Sequence, residues 1–185
     1  MCQNKEWLIE FKDNSFFRIS ENQFYKKNQR NNEVCVNNER GMREMDFCYC
    51  HQNHIDLIEC KKPTNPAKQS LKENCIDKAL HSSALLKTAL YSKNNYIIQA
   101  LNNINRNYTG NEELKLYFIF KIPEKDKSVI YDVAKIIEND IKKFLICPLG
   151  KMWNIKEVHV LDYETAKDKL NYIKYGINRR GTSKK

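Results

Sequence analysis

The pattern of hydrophobic and polar positions predicts a chain that begins with β-strands and continues with alternating helices and strands. Alternation every second residue is typical of a strand, and recurrence every three to four residues is typical of a helix. On this basis we predict strands over 43–50, 55–61, 114–122 and 155–161, and helices over 67–91, 97–101, 128–145 and 164–172. Strands that precede helices and then alternate with them indicate an α/β fold with a mixed sheet.

Several segments leave alternatives open or mark boundaries. Residues 7–11 and 15–19 could form a hairpin around Asp13-Asn14, or a short helix followed by a strand, and their residue types favour strands. We predict a polar loop or short helix over 20–32, a short strand over 33–36 and a turn over 37–41. Ser82-Ser83 could divide the long helix 67–91, and the segment 147–150, with its proline and glycine, is expected to end the helix that precedes it.

The hairpin predicted over 43–61 carries the candidate chemistry. If it closes symmetrically around Gln52-Asn53, Asp46 lies opposite Glu59. Directly opposed side chains have Cβ atoms about 4.5–5.5 Å apart, so two carboxylates there repel unless one is protonated or a cation lies between them. Mg²⁺ or Mn²⁺, which prefer oxygen ligands, would supply that cation. Lys61 follows Glu59 by two residues and therefore shares its face of the strand.

Asp46, followed by Glu59-Cys60-Lys61 at the end of an apolar strand, resembles the PD-(D/E)xK nuclease superfamily, whose members include restriction-endonuclease-like domains. The resemblance covers residues 33–122 and implies an α-β-β-β-α-β core with a mixed central sheet flanked by helices. It also implies that Asp46, Glu59 and the backbone carbonyl of Cys60 bind the metal ion, and that Lys61 is the catalytic lysine. Such sites often include an N-terminal glutamate, for which Glu10 is the candidate.

The function expected from this resemblance is metal-dependent hydrolysis of phosphodiester bonds in nucleic acid, with DNA favoured over RNA. One alternative is a nucleic-acid-binding module that keeps the fold without catalysis. Another is a small zinc-stabilised interaction protein, although its candidate ligands lack the usual Cys-x2–4-Cys pair. Those candidate zinc ligands are Cys48, Cys50, His51, His54 and Cys60.

The distribution of charge favours a polyanionic partner. The 185 residues carry a formal net charge of +9, and residues 150–185 contain nine basic and four acidic groups, whereas residues 1–62 contain ten of each. A basic surface attracts nucleic acid. Lys68, Lys72 and Lys78, on the helix after the triplet, could contact phosphates or could simply form a solvated helix face.

The remaining composition bears on location and domain organisation. Mean hydropathy is −0.72, and no apolar run approaches the roughly 20 residues of a membrane span. Seven cysteines and a polar start at residues 1–6 favour an intracellular, cytoplasmic protein with reduced thiols and no membrane partner. We predict one nuclease-like domain over 1–175 and a basic, disordered tail over 176–185. A homodimer is left open, because many nucleases of this kind pair to cut two strands.

Overall fold

The computed structural model describes residues 8–19, 43–61, 69–91, 96–121 and 127–177. In chain order the strands are β1 (Leu8–Phe11), β2 (Phe16–Phe17), β3 (Phe47–Cys50), β4 (His54–Lys61), β5 (Glu113–Phe120), β6 (Ile155–Asp162) and β7 (Ile173–Ile177). The helices are α1 (Gln69–Thr88), α2 (Tyr96–Asn103), α3 (Lys127–Ile141), α4 (Cys147–Trp153) and α5 (Tyr163–Lys169). A 3₁₀ turn, Ala89–Tyr91, follows α1, and a π-helical turn, Lys142–Ile146, joins α3 to α4.

The central sheet has five strands in the order β2-β3-β4-β5-β6. The pairs β2–β3 and β3–β4 are antiparallel, whereas β4–β5 and β5–β6 are parallel. The predicted α/β class with a mixed sheet flanked by helices is therefore confirmed. A separate antiparallel ribbon is formed by β1 and β7, from the two ends of the described chain.

Both faces of the sheet are covered, so its central strands are apolar on both sides. Helices α1 to α4 pack on one face, which we call the helix face, through buried residues such as Cys75, Ala79, Ile97 and Ile137. The β1–β7 ribbon and α5 pack on the other, the ribbon face, through residues such as Ile9, Phe11, Ala166 and Ile173. In β5, Leu116 and Phe118 belong to the helix face and Tyr117 and Ile119 to the ribbon face.

The register of the β3–β4 hairpin agrees with a symmetric turn around Gln52-Asn53. Cys48 pairs with Leu57 and Cys50 pairs with Ile55, which confirms the predicted pairing. The strand begins later than predicted, at Phe47 rather than Arg43. Before it, the backbone N–H of Met45 donates to Ser82 Oγ over 2.7 Å. Met45 therefore packs on the helix face, whereas the alternation of a strand running from Arg43 would place it on the ribbon face with Phe47.

The possible break at Ser82-Ser83 does not occur, and the helix end predicted at 147–150 is wrong, each for an identifiable reason. Helix α1 continues through Ser82 and Ser83, both fully buried, and the Ser82 hydroxyl caps the incoming chain at Met45 instead of breaking the helix. Residues 147–150 begin α4 rather than ending the preceding helix. Pro148 lies in the first turn of α4, where a missing N–H and a fixed φ are tolerated.

The ends of the described chain also differ from expectation. Segments 8–11 and 16–17 are strands, as their residue types favour, but they pair with β7 and β3 rather than with each other. Helix α5 ends at Lys169, and β7, which the sequence did not predict, extends to Ile177. The predictions for residues 20–32, 33–36 and 37–41 lie outside the described residues. Of the disordered tail predicted over 176–185, residues 176 and 177 belong to β7, and the rest lies outside the described residues. Within the ranges that are described, no helix is both long and apolar enough to cross a membrane.

Candidate functional site

The centre of the candidate site is Glu59, near the end of β4. Its side chain belongs to the helix face of the sheet, and the residue is 2% exposed. A buried carboxylate requires a partner, and Lys78 of α1 provides it. Lys78 Nζ lies 2.7 Å from Glu59 Oε2 and 2.7 Å from Glu59 Oε1. The ammonium group thus contacts both carboxylate oxygens.

Asp46, the residue directly before β3, is held beside Glu59 by a backbone hydrogen bond. Its Oδ2 accepts the N–H of Cys60 over 2.9 Å. The two carboxylates are close enough to repel each other. Burial, together with the negative charge of Asp46, raises the pKa of Glu59 to about 7, even though Lys78 opposes the shift. The structure therefore brings Asp46 and Glu59 together, as the hairpin register predicts.

The backbone of Cys60 faces the same edge of β4 as Asp46. Along a strand, successive residues direct their N–H and C=O groups to opposite edges. The carbonyl of Lys61 accepts the N–H of Lys121 over 2.8 Å, on the β5 side. The carbonyl of Cys60 therefore points to the other side, where Asp46 binds the Cys60 N–H. The Cys60 thiol lies away from Glu59, because it packs against the ribbon face.

Lys61 completes the group on the helix face. Its Nζ lies 4.0 Å from Glu59 Oε1, and 17% of its side chain is exposed. Burial lowers the pKa of the Lys61 ammonium below its ordinary value. By contrast, the charges of Glu59 and Asp46 outweigh the burial of Lys78 and raise its pKa. Lys78 is thus fixed as the counter-ion of Glu59, and Lys61 is the easier of the two lysines to deprotonate.

The ion pair of Lys78 could not be foreseen from the two roles considered for that residue, a phosphate contact or part of a solvated helix face. A signal was present, since Lys78 follows the apolar Cys75 by three residues and precedes the apolar Ala79, so it lies beside the apolar face of the predicted helix. Its neighbour on the same helix, Lys72, pairs instead with Asp140 of α3 over 2.7 Å. Lys68 lies outside the described residues.

Glu10 does not join the site, so its assignment as the additional glutamate is corrected. It lies in β1, where it pairs with Tyr175 of β7, and it is exposed. Its neighbours Ile9 and Phe11 pack on the ribbon face. Because Glu59 and Lys78 meet on the helix face, the sheet separates Glu10 from them.

The five residues considered for zinc do not converge on one ion, so that grouping is wrong. Cys48 and Cys50 are buried on the helix face. The rings of His51 and His54 instead stack on each other, with centroids 3.9 Å apart. They form a group with Asp56, on the ribbon side of the sheet.

Comparison of the chain with models of known protein families, with curated proteins and with solved structures finds no match in any of the three. The interpretation of the site therefore depends on the geometry and chemistry of the residues themselves.

Proposed function

We propose that the protein is a metal-dependent phosphodiesterase that cleaves nucleic acid, with DNA favoured over RNA. The observation that carries the proposal is the meeting of Asp46, Glu59 and Lys61 at the ends of two adjacent strands, with one carboxylate buried and its pKa raised to about 7. A buried carboxylate beside a second negative charge is destabilised, and binding of a cation between the two relieves this repulsion. Residues held in such a state are more typical of a site than of a surface ion pair.

The topology supports the finer fold that the resemblance implies. Strands β2, β3 and β4 follow one another in the chain, and each pairs antiparallel with the next. After a connection that contains α1, β5 pairs parallel with β4. This order agrees with the β-β-β-α-β part of the restriction-endonuclease-like core that the resemblance implies, and so supports the proposal. The residues in question, Glu59 and Lys61, lie at the carboxyl end of β4, where its parallel neighbour β5 also ends.

The donor set fits a hard divalent cation such as Mg²⁺ or Mn²⁺. Asp46 and Glu59 offer carboxylate oxygens, and the carbonyl of Cys60 faces the same edge, so the donors are oxygen atoms, as these ions prefer. When bound, the ion would polarise the phosphate and lower the pKa of a coordinated water. Lys78 would yield its place at Glu59 to that ion, since one carboxylate cannot hold both at full strength.

Lys61 is the residue to which we assign proton transfer and charge stabilisation. Its pKa is lowered by burial, which brings an ammonium closer to the range where it can exchange a proton near neutral pH. Its position on the same face as Glu59 lets it approach the phosphate that the metal site would hold. A positioned positive charge there offsets the negative charge that develops on phosphorus.

One observation favours a second candidate, a nucleic-acid-binding module without catalysis. Lys78 already satisfies both oxygens of Glu59, which is what a site that has lost its metal would need. In that case the basic residues would bind phosphates and Glu59–Lys78 would be a structural ion pair.

Cleavage assays distinguish the two candidates. Plasmid DNA, single-stranded DNA and RNA are incubated with the protein in Mg²⁺, Mn²⁺ or EDTA, and Mn²⁺ affinity is measured by calorimetry. We expect EDTA-sensitive cleavage. Asp46→Asn and Glu59→Gln should lose both cleavage and Mn²⁺ affinity. Lys61→Ala should keep Mn²⁺ affinity and lose about 10²–10⁴ in rate, and Lys61→Arg should also fail because a planar fork does not replace a compact ammonium.

The matched control is Lys72→Ala, which removes an ion-paired lysine of α1 that contacts Asp140 rather than Glu59. It should cut at the parental rate. If Lys61→Ala cuts as fast as the parent, the catalytic assignment is wrong. Tight binding of nucleic acid with no cleavage in any metal would favour the non-catalytic module.

A further inference from the structure

A second polar cluster lies on the ribbon face, on the opposite side of the sheet from Glu59. It consists of His51 in the β3–β4 turn, His54 at the start of β4, and Asp56 two residues further on. One ligand atom from each of the three lies within 4.8 Å of the others. No other group of three or more such side chains is this close within the described residues.

Asp56 has an oxygen that the protein leaves without a partner. The residue is 2% exposed. Its Oδ2 accepts the hydroxyl of Tyr172 and lies 3.0 Å from His51 Nε2. Its Oδ1 is buried without a hydrogen bond and lies 3.6 Å from His54 Nε2, which is too long for one. An unsatisfied buried carboxylate oxygen is costly, and here it faces an imidazole nitrogen across a gap.

That gap has the size a tetrahedral zinc ion needs. Zn–N bonds of about 2.0–2.1 Å and Zn–O bonds of about 2.0–2.2 Å place neighbouring ligand atoms of a tetrahedron roughly 3.4 Å apart. The separation of His54 Nε2 from Asp56 Oδ1, 3.6 Å, is close to this value, whereas the 3.0 Å between His51 Nε2 and Asp56 Oδ2 is a hydrogen bond that the ion would replace. Two imidazoles and one carboxylate are donors that suit Zn²⁺ better than Mg²⁺.

The surroundings hold the Asp56 carboxylate in place and leave an opening beside the two histidines. Tyr172 donates to Asp56 and stacks on Tyr49, with ring centroids 3.8 Å apart. His51 packs edge-on against Tyr172, at 5.1 Å between centroids. Its ring also stacks on that of His54, so one imidazole rotates when both direct a nitrogen at the same ion. The side chains of His51 and His54 are 27% and 28% exposed, so an ion can enter from solvent and water can complete its coordination.

We propose that His51, His54 and Asp56 bind a Zn²⁺ ion that links the β3–β4 turn to strand β4. Tyr172, which directly precedes β7, orients the carboxylate as a positioning residue. Such an ion would stabilise the folded state, since metal that binds only the folded protein shifts the unfolding equilibrium. This site shares no residue with Asp46, Glu59 and Lys61, so it does not rest on the proposed phosphodiesterase activity.

The test is metal titration of the full chain after dialysis against a chelator. We expect one Zn²⁺ per chain by calorimetry, the intense visible absorption of tetrahedral Co²⁺ on substitution, and a higher unfolding temperature with Zn²⁺. His54→Gln should weaken Zn²⁺ binding by more than about tenfold and abolish the Co²⁺ band. Its position at the exposed turn makes it a mild change for folding, which circular dichroism checks. Asp56→Asn, of nearly the same shape, should have the same effect.

Two control variants separate this site from the rest of the molecule. His159→Gln removes another histidine that faces the ribbon side, where it stacks on Tyr117 and lies 2.7 Å from Glu157, and it should leave Zn²⁺ affinity unchanged. Asp46→Asn should do the same. The proposal is overturned if the parent binds no Zn²⁺, if His54→Gln binds it as tightly as the parent, or if Cys60→Ser, rather than His54→Gln, loses the ion.

Discussion

At the scale of the residue, the chemistry of the candidate site depends on one buried carboxylate and its counter-ion. Glu59 is almost inaccessible, and its ion pair with Lys78 supplies the positive charge that burial demands. Asp46 works against this balance, because its negative charge adds to the rise in the pKa of Glu59. We therefore expect Glu59 and Lys78 to stabilise the fold only together, and the loss of either one alone to be destabilising.

Replacement of Lys78 tests this coupling. Lys78→Met should destabilise the protein by about 3 kcal/mol, toward the lower end of the range for breaking a buried pair, because Lys78 keeps 18% of its side chain exposed. The double variant Lys78→Met with Glu59→Gln should recover at least about 1 kcal/mol relative to the sum of the single changes. Urea unfolding of all four proteins measures the cycle.

The control for this prediction is Lys142→Met. Lys142 pairs with Glu138 one helical turn away, and 44% of its side chain is exposed, so its loss should cost no more than about 0.5 kcal/mol. Strictly additive changes at Lys78 and Glu59 would show that their contact does not stabilise the fold.

At the scale of the element, the connection from α3 to β6 shows how packing overrides local preference. The π-helical turn Lys142–Ile146 leads straight into α4, which carries the buried Gly150. A Cβ added at Gly150 would lie 2.9 Å from Ile146 Cγ2 and 3.3 Å from the backbone oxygen of Ile155. Glycine is therefore favoured here by the close approach of Ile146 and, less tightly, of the β6 backbone, although the position itself is helical.

Gly150→Ala sets helix propensity against this close approach. Alanine in a helix interior is ordinarily favoured over glycine by up to about 1 kcal/mol. Here the crowding should win, because the backbone of Ile155 belongs to a sheet strand and cannot easily move, and we expect a net loss of about 1–2 kcal/mol. Chemical denaturation measures it. Lys151→Ala, at an exposed position of the same helix, should change stability by less than about 0.5 kcal/mol, and equal effects of the two variants would refute the crowding.

At the scale of the whole molecule, the sheet keeps two polar clusters apart. Asp46, Glu59 and Lys61 lie toward the helix face, and His51, His54 and Asp56 lie on the ribbon face. The ribbon itself joins the two ends of the described chain, since Leu8 pairs with Ile177 and Ile9 with Gly176. The basic residues beyond Ile177 therefore follow a strand that is anchored in the fold.

Removal of residues 178–185 should weaken binding of nucleic acid without destabilising the fold. The deletion takes away Arg179, Arg180, Lys184 and Lys185 but spares the pairing of β7 with β1. Each lost phosphate contact should lower the slope of log affinity against log salt by about 0.9 for duplex DNA. Binding to a labelled duplex at several salt concentrations measures this slope.

A charge-only control accompanies the truncation. Changing the same four basic residues to Gln keeps the length of the tail and should reproduce the effect, while the unfolding temperature of both variants stays at the parental value. An unchanged slope would mean that the segment serves only as a solubilising end.

The hairpin and the central strands could be predicted from the sequence because their signals are local. The symmetric turn around Gln52-Asn53 determines the register, and the pairing of Cys48 with Leu57 follows from it. The apolar run of β5 likewise identifies a strand covered on both faces. Those signals were enough to place Asp46 beside Glu59 with Lys61 on the same face.

Contacts between strands and side chains that are distant in the sequence became known only from the tertiary structure. Nothing in residues 8–11 indicates that they pair with β7 rather than with β2, because a strand edge can accept any neighbour of suitable shape. The ion pair between Lys78 and Glu59 joins positions 19 residues apart, and Tyr172 reaches Asp56 across 116 residues. Periodicity reports which side of an element is buried, but only the packing of elements against each other determines which buried polar groups meet.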